Sequence, residues 1–242
     1  GYPYVGRQWK AAGGTTTNQT GANIDSVTQA NTTAGFSIVT YTGNGGAGQS
    51  VKHGLGTTPK MILVKRRDGS ADWFVYHSAL GNTKHLHLNT SAAVATTSDF
   101  GNYGPDATSF FVNNTGTCIN NETYVAYCFA EVQGYSKIGK YKGNSSSDGT
   151  FVYTGFKPAF ILIKNSGVVT NWRILDNKRL GYNKDNNRLS SNTTSSEETD
   201  DQLDILSNGF KLITNNSGYT HIYMAFAENP FVTSTGIPTT AR

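Results

Sequence analysis

The sequence reads Pro59-Lys60-Met61-Ile62-Leu63-Val64-Lys65 at residues 59–65 and Pro158-Ala159-Phe160-Ile161-Leu162-Ile163-Lys164 at residues 158–164. Each stretch places a short apolar run, rich in Ile and Val, between a proline and a lysine. A run of this length and composition is typical of a buried β-strand. The two strands lie 99 residues apart, which indicates that one structural unit occurs twice in the chain.

Further landmarks repeat in the same order and at nearly the same spacing. They pair Trp73 with Trp172, Tyr41-Thr42-Gly43-Asn44 with Tyr141-Lys142-Gly143-Asn144, Leu80-Gly81 with Leu180-Gly181, and Phe129-Ala130-Glu131 with Phe226-Ala227-Glu228. A constant period of this length is typical of a tandem duplication. We therefore assign residues 34–133 to a first repeat and residues 134–231 to a second.

The composition favours strands over helices. The chain has 27 Gly and 13 Tyr, and 12% of its residues are aromatic, so short strands alternate with Gly- and Asn-bearing turns. This pattern predicts an all-β protein made of two tandem, related antiparallel β-sandwiches of lectin or jelly-roll type. One merged sandwich, in which residues 60–65 pair with residues 159–164, is the alternative. The single helix candidate is Ser195–Leu206, because Ser195 and Glu198 fit a capping box.

The chain ends are predicted to lie outside the two repeats. Residues 1–33 resemble the end of a preceding repeat followed by a polar linker, and residues 232–242 are expected to form an extended C-terminal tail. The tail carries Pro238 and lacks a strand or helix pattern. We expect it to run across a neighbouring subunit.

Charge and cysteine content exclude several classes. Lys and Arg number 20 against 16 Asp and Glu, and the basic residues are scattered apart from Lys65-Arg66-Arg67, so nucleic-acid binding is not expected. No apolar run reaches the roughly 18–20 residues that span a bilayer, so membrane insertion is not expected. Cys118 and Cys128 are expected to be free thiols, because a turn at Asn120-Asn121 places Cys118 opposite residue 123.

Candidate chemical groups are few. Trp73 and Trp172 suit either a sugar-stacking platform or the core, and the core is favoured. His85 and His87 share one face of a strand and could share a metal ion, but no further ligand is evident, so we expect surface histidines, no metal and no cofactor. Glu197, Glu198, Asp200 and Asp201 are interpreted as the acidic first turn of the helix candidate rather than a calcium site.

No catalytic motif is present. The sequence contains no G-x-S-x-G, H-E-x-x-H or phosphate-binding glycine loop. The repetition of Lys65 as Lys164 and of Glu131 as Glu228 indicates scaffold positions rather than catalytic ones. We therefore expect a protein that is not an enzyme, and an enzyme acting on host polysaccharide is the third-ranked hypothesis.

Several segments resemble repeated modules in the virion proteins of marine tailed bacteriophages, described as tail-fibre-like. The resemblance is carried by Gly35–Gly43, His53-Gly54-Leu55, Asn208-Gly209-Phe210 and Ala225-Phe226-Ala227-Glu228. It covers the chain from about Gln8 to Arg242, implies a place on the surface of the extracellular virion and a lectin-like sandwich, and supplies no binding residues.

The leading hypothesis is thus a virion structural protein that serves as a tail-fibre or receptor-binding adhesion module. Host surface glycan or protein would contact loops that differ between the repeats, Asp99–Asp106 and Gly181–Arg188, where Phe100, Tyr103 and Tyr182 are expected to be exposed. The alternative is a capsid or tail decoration protein with a purely architectural role. Either would contact other virion subunits, and a homotrimer is expected.

Overall fold

The fold is all-β and antiparallel. The computed structural model describes residues 5–146, 148–179, 183, 187–199, 203–213 and 218–228, and within these ranges its regular elements are nineteen strands and one 3₁₀ turn at Ser78–Leu80. The chain divides into two compact units. The N-terminal unit comprises Trp9–Asn89 and Val94–Glu131, and the C-terminal unit comprises Gly1–Gln8, Thr90–Ala93 and Val132–Arg242. The predicted all-β class is confirmed.

The N-terminal unit is a two-layer sandwich. Its strands are β1 (Thr17–Gln19), β2 (Ser26–Asn31), β3 (Phe36–Thr42), β4 (Gln49–Lys52), β5 (Met61–Arg66), β6 (Phe74–His77), β7 (Lys84–His87), β8 (Ala95–Thr96), β9 (Ser109–Val112) and β10 (Thr123–Phe129). Eight of them form one sheet in the order β1-β2-β3-β10-β5-β6-β7-β8, while β4 and β9 pair separately. Val51 and Phe110 from this pair are buried with Val39, Val64 and Tyr124 of the large sheet in one apolar core.

The C-terminal unit has the same plan. Its strands are β11 (Ser136–Lys142), β12 (Phe151–Tyr153), β13 (Pro158–Asn165), β14 (Arg173–Asp176), β15 (Asn187–Arg188), β16 (Glu198–Thr199), β17 (Leu203–Leu206), β18 (Gly209–Leu212) and β19 (Thr220–Ala227). One sheet has the order β11-β19-β13-β14, a second has the order β12-β18-β17, and β15 pairs with β16. Phe210 and Leu212 of the second sheet are buried with Ile161 and Tyr223 of the first.

The repeated sequence landmarks occupy matching positions in the two units. The order β3-β10-β5-β6 corresponds to β11-β19-β13-β14, and the pair β4-β9 corresponds to β12-β18. The strands β5 and β13, which contain the two apolar stretches, belong to separate sheets and do not pair, which is contrary to the merged sandwich. The common strand order supports a tandem duplication as the origin of the two units, which stays a prediction.

Lys65 and Lys164 each close the turn that follows their strand. Lys65 Nζ donates to the carbonyl of Ala71, and Lys164 Nζ donates to the carbonyl of Thr170 at 2.7 Å. The acceptors are 99 residues apart, as the lysines are. The prediction that these repeated charges serve the scaffold at a strand end is confirmed for both.

Two predictions about local structure are wrong. The polar linker was predicted at Gly13–Asn18, but its last two residues belong to β1, and β1 and β2 extend the large sheet of the N-terminal unit. The buried residues of β2 include the polar Ser26 and Thr28, so the alternation of buried and exposed positions in β2 is not visible as a hydrophobic pattern. Ser195–Leu206 is not a helix where it is described, because Glu198 pairs with Arg188 across β15 and β16 and Leu203–Leu206 alternates buried and half-buried residues as β17.

The cysteines and tryptophans are placed as follows. Cys118 and Cys128 are free and buried, and burial raises the pKa of the Cys128 thiol to about 12. Trp172 is 1% exposed, as expected of a core residue. Trp73 is only half-buried and stacks on Tyr127 with ring centroids 6.1 Å apart, so the prediction of equal burial is wrong.

Candidate functional site

An open groove of about 670 Å³ runs along the first strands of the N-terminal unit. Its lining comes from the end of β1, the loop that follows, β2 and β3, together with Asn44, Arg67 and Thr123. The groove exists because β1 and β2 continue the sheet beyond β3. Its position therefore depends on β1 and β2, which lie within residues 1–33, the stretch assigned from the sequence to the end of a preceding repeat and a linker.

The groove is lined mainly by hydroxyl and amide groups. They belong to Asn18, Gln19, Thr20, Asn23, Ser26, Thr40, Thr42, Asn44 and Thr123. One carboxylate, Asp25, and one guanidinium, Arg67, are added, and both side chains are exposed. Ile24, Val27 and Tyr41 complete the lining, so the surface offers donors and acceptors in many directions together with apolar area.

Hydrogen bonds hold two of the lining amides in place. Asn23 Oδ1 accepts from Ser50 Oγ at 2.7 Å and from the Ser50 backbone N–H at 3.1 Å, while Asn23 N–H donates to Ser50 Oγ at 3.0 Å. Asn44 Nδ2 donates to Gln49 Oε1 at 2.9 Å, and Asn44 Oδ1 accepts from the N–H of Gly46 at 2.9 Å. These amides are fixed before any ligand arrives, which lowers the entropy that binding costs.

Phe100 and Tyr103, two of the aromatic residues predicted to bind a ligand, do not line this groove. Phe100 is buried, with its ring 5.6 Å from that of Tyr76, so the expectation of an exposed Phe100 is wrong. Tyr103 is 59% exposed, as expected, and packs one side of its ring on Phe111 at 5.2 Å. Tyr182 lies outside the described residues. A binding role for Tyr103 and Tyr182 stays a prediction.

The two strand histidines belong to a polar network beside the core. His85 is 3% exposed, so the expectation of a surface histidine is wrong for it. Its Nδ1 lies 2.8 Å from Thr97 Oγ1 and 3.0 Å from Asp99 Oδ2, and its Nε2 lies 3.0 Å from Nε2 of His87. Burial alone would raise the pKa of Asp99, but hydrogen bonds from His85, Thr115 and Thr97 outweigh it and hold that pKa at about 2. Burial, followed by the proximity of His85, lowers the pKa of His87.

A second charged cluster contains two carboxylates. A hydrogen bond from Arg66 lowers the pKa of Asp68, and burial together with Asp68 raises the pKa of Glu122. Arg66 contacts both carboxylates, and Asp68 Oδ2 also accepts from the N–H of Thr123 at 2.7 Å. Neither carboxylate lines the groove, and both are occupied in joining the turn after β5 to the start of β10.

Lys164 is the most buried cationic side chain of the C-terminal unit within the described residues. Burial, with a smaller effect of Arg173, lowers its pKa to about 8. Such a lysine could act as a nucleophile, but its Nζ already donates to the carbonyls of Ser91 and Thr170 at 3.2 and 2.7 Å. Its ammonium group therefore serves to fix the two segments that carry these carbonyls.

Asp176 and Arg179 form an ion pair, with Arg179 Nε 2.9 Å from Asp176 Oδ2. Among the described residues, no group of three or more His, Cys, Asp or Glu side chains is arranged to hold a metal ion. No described helix is long and apolar enough to cross a membrane.

Comparison with known proteins gives one match. A family model described as a domain of unknown function, DUF7483, matches residues 1–230 and so spans both units. No curated protein and no solved structure matches the chain.

Proposed function

The chain belongs to the DUF7483 family, a family of unknown function, and we propose that it is a non-enzymatic binding module that attaches a tailed-phage virion to carbohydrate on the host surface. The groove of the N-terminal unit carries the binding part of this proposal. The virion part rests on the resemblance of the repeats to tail-fibre-like modules.

The chemistry of the groove suits a polyhydroxylated ligand. A sugar presents several hydroxyl groups that donate and accept. The fixed amides of Asn23 and Asn44 can donate to it through Nδ2, and the hydroxyl groups of Thr40 and Thr42 can do both. Asp25 and Arg67 add the charge-assisted hydrogen bonds that are stronger than neutral ones. Ile24, Val27 and Tyr41 add apolar surface on which the C–H face of a sugar ring can pack.

The same lining argues for binding rather than hydrolysis. A glycosidase brings two carboxylates to the scissile bond, about 5–10 Å apart according to its mechanism. Asp25 is the one carboxylate among the described residues that line the groove. With a single carboxylate, the groove can hold a sugar but lacks the acid and base pair.

The test measures binding of the full chain to polysaccharide isolated from host cells. Asp25→Asn and Arg67→Ala should each weaken binding about tenfold or more, because a hydrogen bond to a charged group contributes about 1.5–3 kcal/mol. Lys140→Ala, an exposed cation of the C-terminal unit, is the matched control and should leave binding unchanged. Wild-type affinity in both groove variants would contradict the groove as the site.

An architectural role is the second candidate, and one feature of the C-terminal unit favours it. Phe151 and Tyr153 of the edge strand β12 are 45% and 63% exposed, whereas Val152 between them is buried. An apolar edge of this kind suits contact with another protein subunit. Antibody labelling of intact particles distinguishes the two: label at a fibre tip supports adhesion, and label over the shell supports decoration.

A further inference from the structure

We propose that His85 and His87 form a binding site for a divalent transition-metal ion on β7 of the N-terminal unit. The two residues are separated by one position on a strand, so their side chains leave the same face. Their Nε2 atoms converge to 3.0 Å. This site goes beyond the carbohydrate-binding proposal and does not depend on it.

A carboxylate is hydrogen-bonded to the other nitrogen of His85. Asp99 Oδ2 lies 3.0 Å from Nδ1 of His85, whereas Asp72 Oδ2 lies 3.6 Å from Nδ1 of His87, beyond hydrogen-bond distance. A carboxylate in the position of Asp99 favours the proton on Nδ1 and leaves the lone pair on Nε2, as it does for histidines that ligate metals. The two Nε2 atoms, 3.0 Å apart, share a proton that His87 can donate, and a metal ion would take the place of that proton.

The separation of the two nitrogens fits a metal ion. An ion bound about 2.0–2.1 Å from each nitrogen would subtend an angle of roughly 91–97° between them. This angle matches adjacent positions of square-planar or octahedral coordination, which Cu²⁺ and Ni²⁺ adopt with nitrogen and oxygen ligands. Since no third protein ligand is in place among the described residues, water or a group from another molecule would complete the coordination.

The surroundings hold both rings ready for an ion. The Phe74 ring packs against His85 and His87 with centroid distances of 5.4 and 5.0 Å. His85 is further fixed by Thr97, whereas the side chain of His87 is 20% exposed and gives access from solvent.

The test uses the full chain and NMR signals of its five histidines during addition of substoichiometric Cu²⁺. The signals of His85 and His87 should broaden first. His53, His77 and His221 are the internal controls, because ring nitrogens of all three are engaged by backbone groups. Calorimetric titration with Ni²⁺ or Zn²⁺ should show one saturable site, and its affinity should fall as pH decreases because protons compete for Nε2.

His87→Gln is the variant of choice, since His85 is buried and its replacement could disturb folding. The variant should lose at least tenfold in affinity for Ni²⁺, and the ion should raise the unfolding midpoint of the wild type but not that of the variant. Equal broadening of all five histidines, or no saturable binding at millimolar Ni²⁺, Zn²⁺ and Cu²⁺, would overturn the proposal and leave a shared proton between the rings. Carbohydrate binding measured with a chelator present should be unaffected, which keeps this test separate from that of the groove.

Discussion

Two tyrosines at equivalent positions show how the repeats differ at single residues. Tyr41 and Tyr141 each stack on the ring across the strand pair, Tyr124 at 5.1 Å and His221 at 4.9 Å. The Tyr41 hydroxyl donates to the carbonyl of Thr117 at 2.7 Å. The Tyr141 hydroxyl is buried and has no hydrogen-bond partner within the ranges that the structure describes. The same side chain is therefore satisfied in one unit and not in the other.

This difference predicts opposite outcomes for one substitution. Tyr41→Phe should lower the free energy of unfolding by about 1–2 kcal/mol, because it leaves the buried Thr117 carbonyl without its donor. Tyr141→Phe should change stability by less than about 0.5 kcal/mol or increase it, because it removes a hydroxyl that burial has already separated from water. Urea unfolding of both variants checks this, and equal losses would contradict it.

His221 makes the C-terminal unit sensitive to acid. Burial, with smaller effects of Arg173 and Lys164, lowers the pKa of His221 to about 4, against about 6.5 in an unfolded chain. Between pH 4 and 6.5 the unfolded form therefore binds one more proton than the folded form. The stabilisation that neutral His221 contributes is complete above pH 6.5 and is lost as pH falls to about 4.

His221→Phe keeps a ring on Tyr141 and removes this titration. Between pH 6.5 and 4, the free energy of unfolding of the variant should change less with pH than that of the wild type. The difference should reach up to about 1.4 kcal/mol per pH unit, measured by urea unfolding. The dependence below pH 4 should remain, because Asp99, whose pKa is about 2, still loses its charge there. An unchanged slope between pH 6.5 and 4 would show that His221 does not titrate as described.

At the scale of elements, hydrophobic pattern identified the strands with apolar inward faces. The apolar stretches at residues 59–65 and 158–164, predicted as buried strands, correspond to β5 and β13. Strands whose inward or neighbouring residues are polar, such as β2 and β4, were missed. Residues of β17 alternate between buried and half-buried. The acidic residues before β17 nevertheless led to the wrong prediction of a helix at Ser195–Leu206.

The groove was missed for a related reason. Its polar side chains follow one another in a segment rich in Thr, Asn and Gln, where composition does not separate a strand from a linker. Arg67 joins them only through the register in which β3 pairs with β10 and β10 with β5. Binding residues were instead sought among loop aromatics, and Phe100 is buried because it packs into the core.

Gly43 lies so close to a neighbouring turn that a larger residue is not expected to fit there. A Cβ at Gly43 would overlap the backbone carbonyl of Ile119, and the N–H of Gly43 donates to the carbonyl of Glu122 at 2.8 Å. Gly43→Ala should therefore destabilise the N-terminal unit by about 1–3 kcal/mol, as overpacking does. Gly6→Ala, where a Cβ has no atom within 4 Å, is the control and should change stability by less than about 0.5 kcal/mol. Equal stability of the two variants would contradict the overlap.

At the scale of the whole molecule, the family model extends across both units. The sites argued above, the polar groove and the histidine pair, both belong to the N-terminal unit. The apolar edge of β12 belongs to the C-terminal unit. This distribution supports a division in which one unit binds a ligand and the other contacts a neighbouring subunit.

A single open polar groove binds weakly, so an adhesion module needs several copies that act together. Linked sites raise the overall affinity through their effective concentration, without any new contact. We therefore expect the full chain to form a trimer, with residues 232–242, which lie outside the described residues, running across a neighbouring subunit. Light scattering should give a trimeric mass for the full chain and a monomeric mass for a chain ending at Phe231. The shortened chain should keep its strand-rich circular dichroism, since β19 ends at Ala227. A monomer in both cases would remove the trimer, and a trimer in both would place its contacts elsewhere, with the exposed Phe151 and Tyr153 of β12 as the next surface to alter.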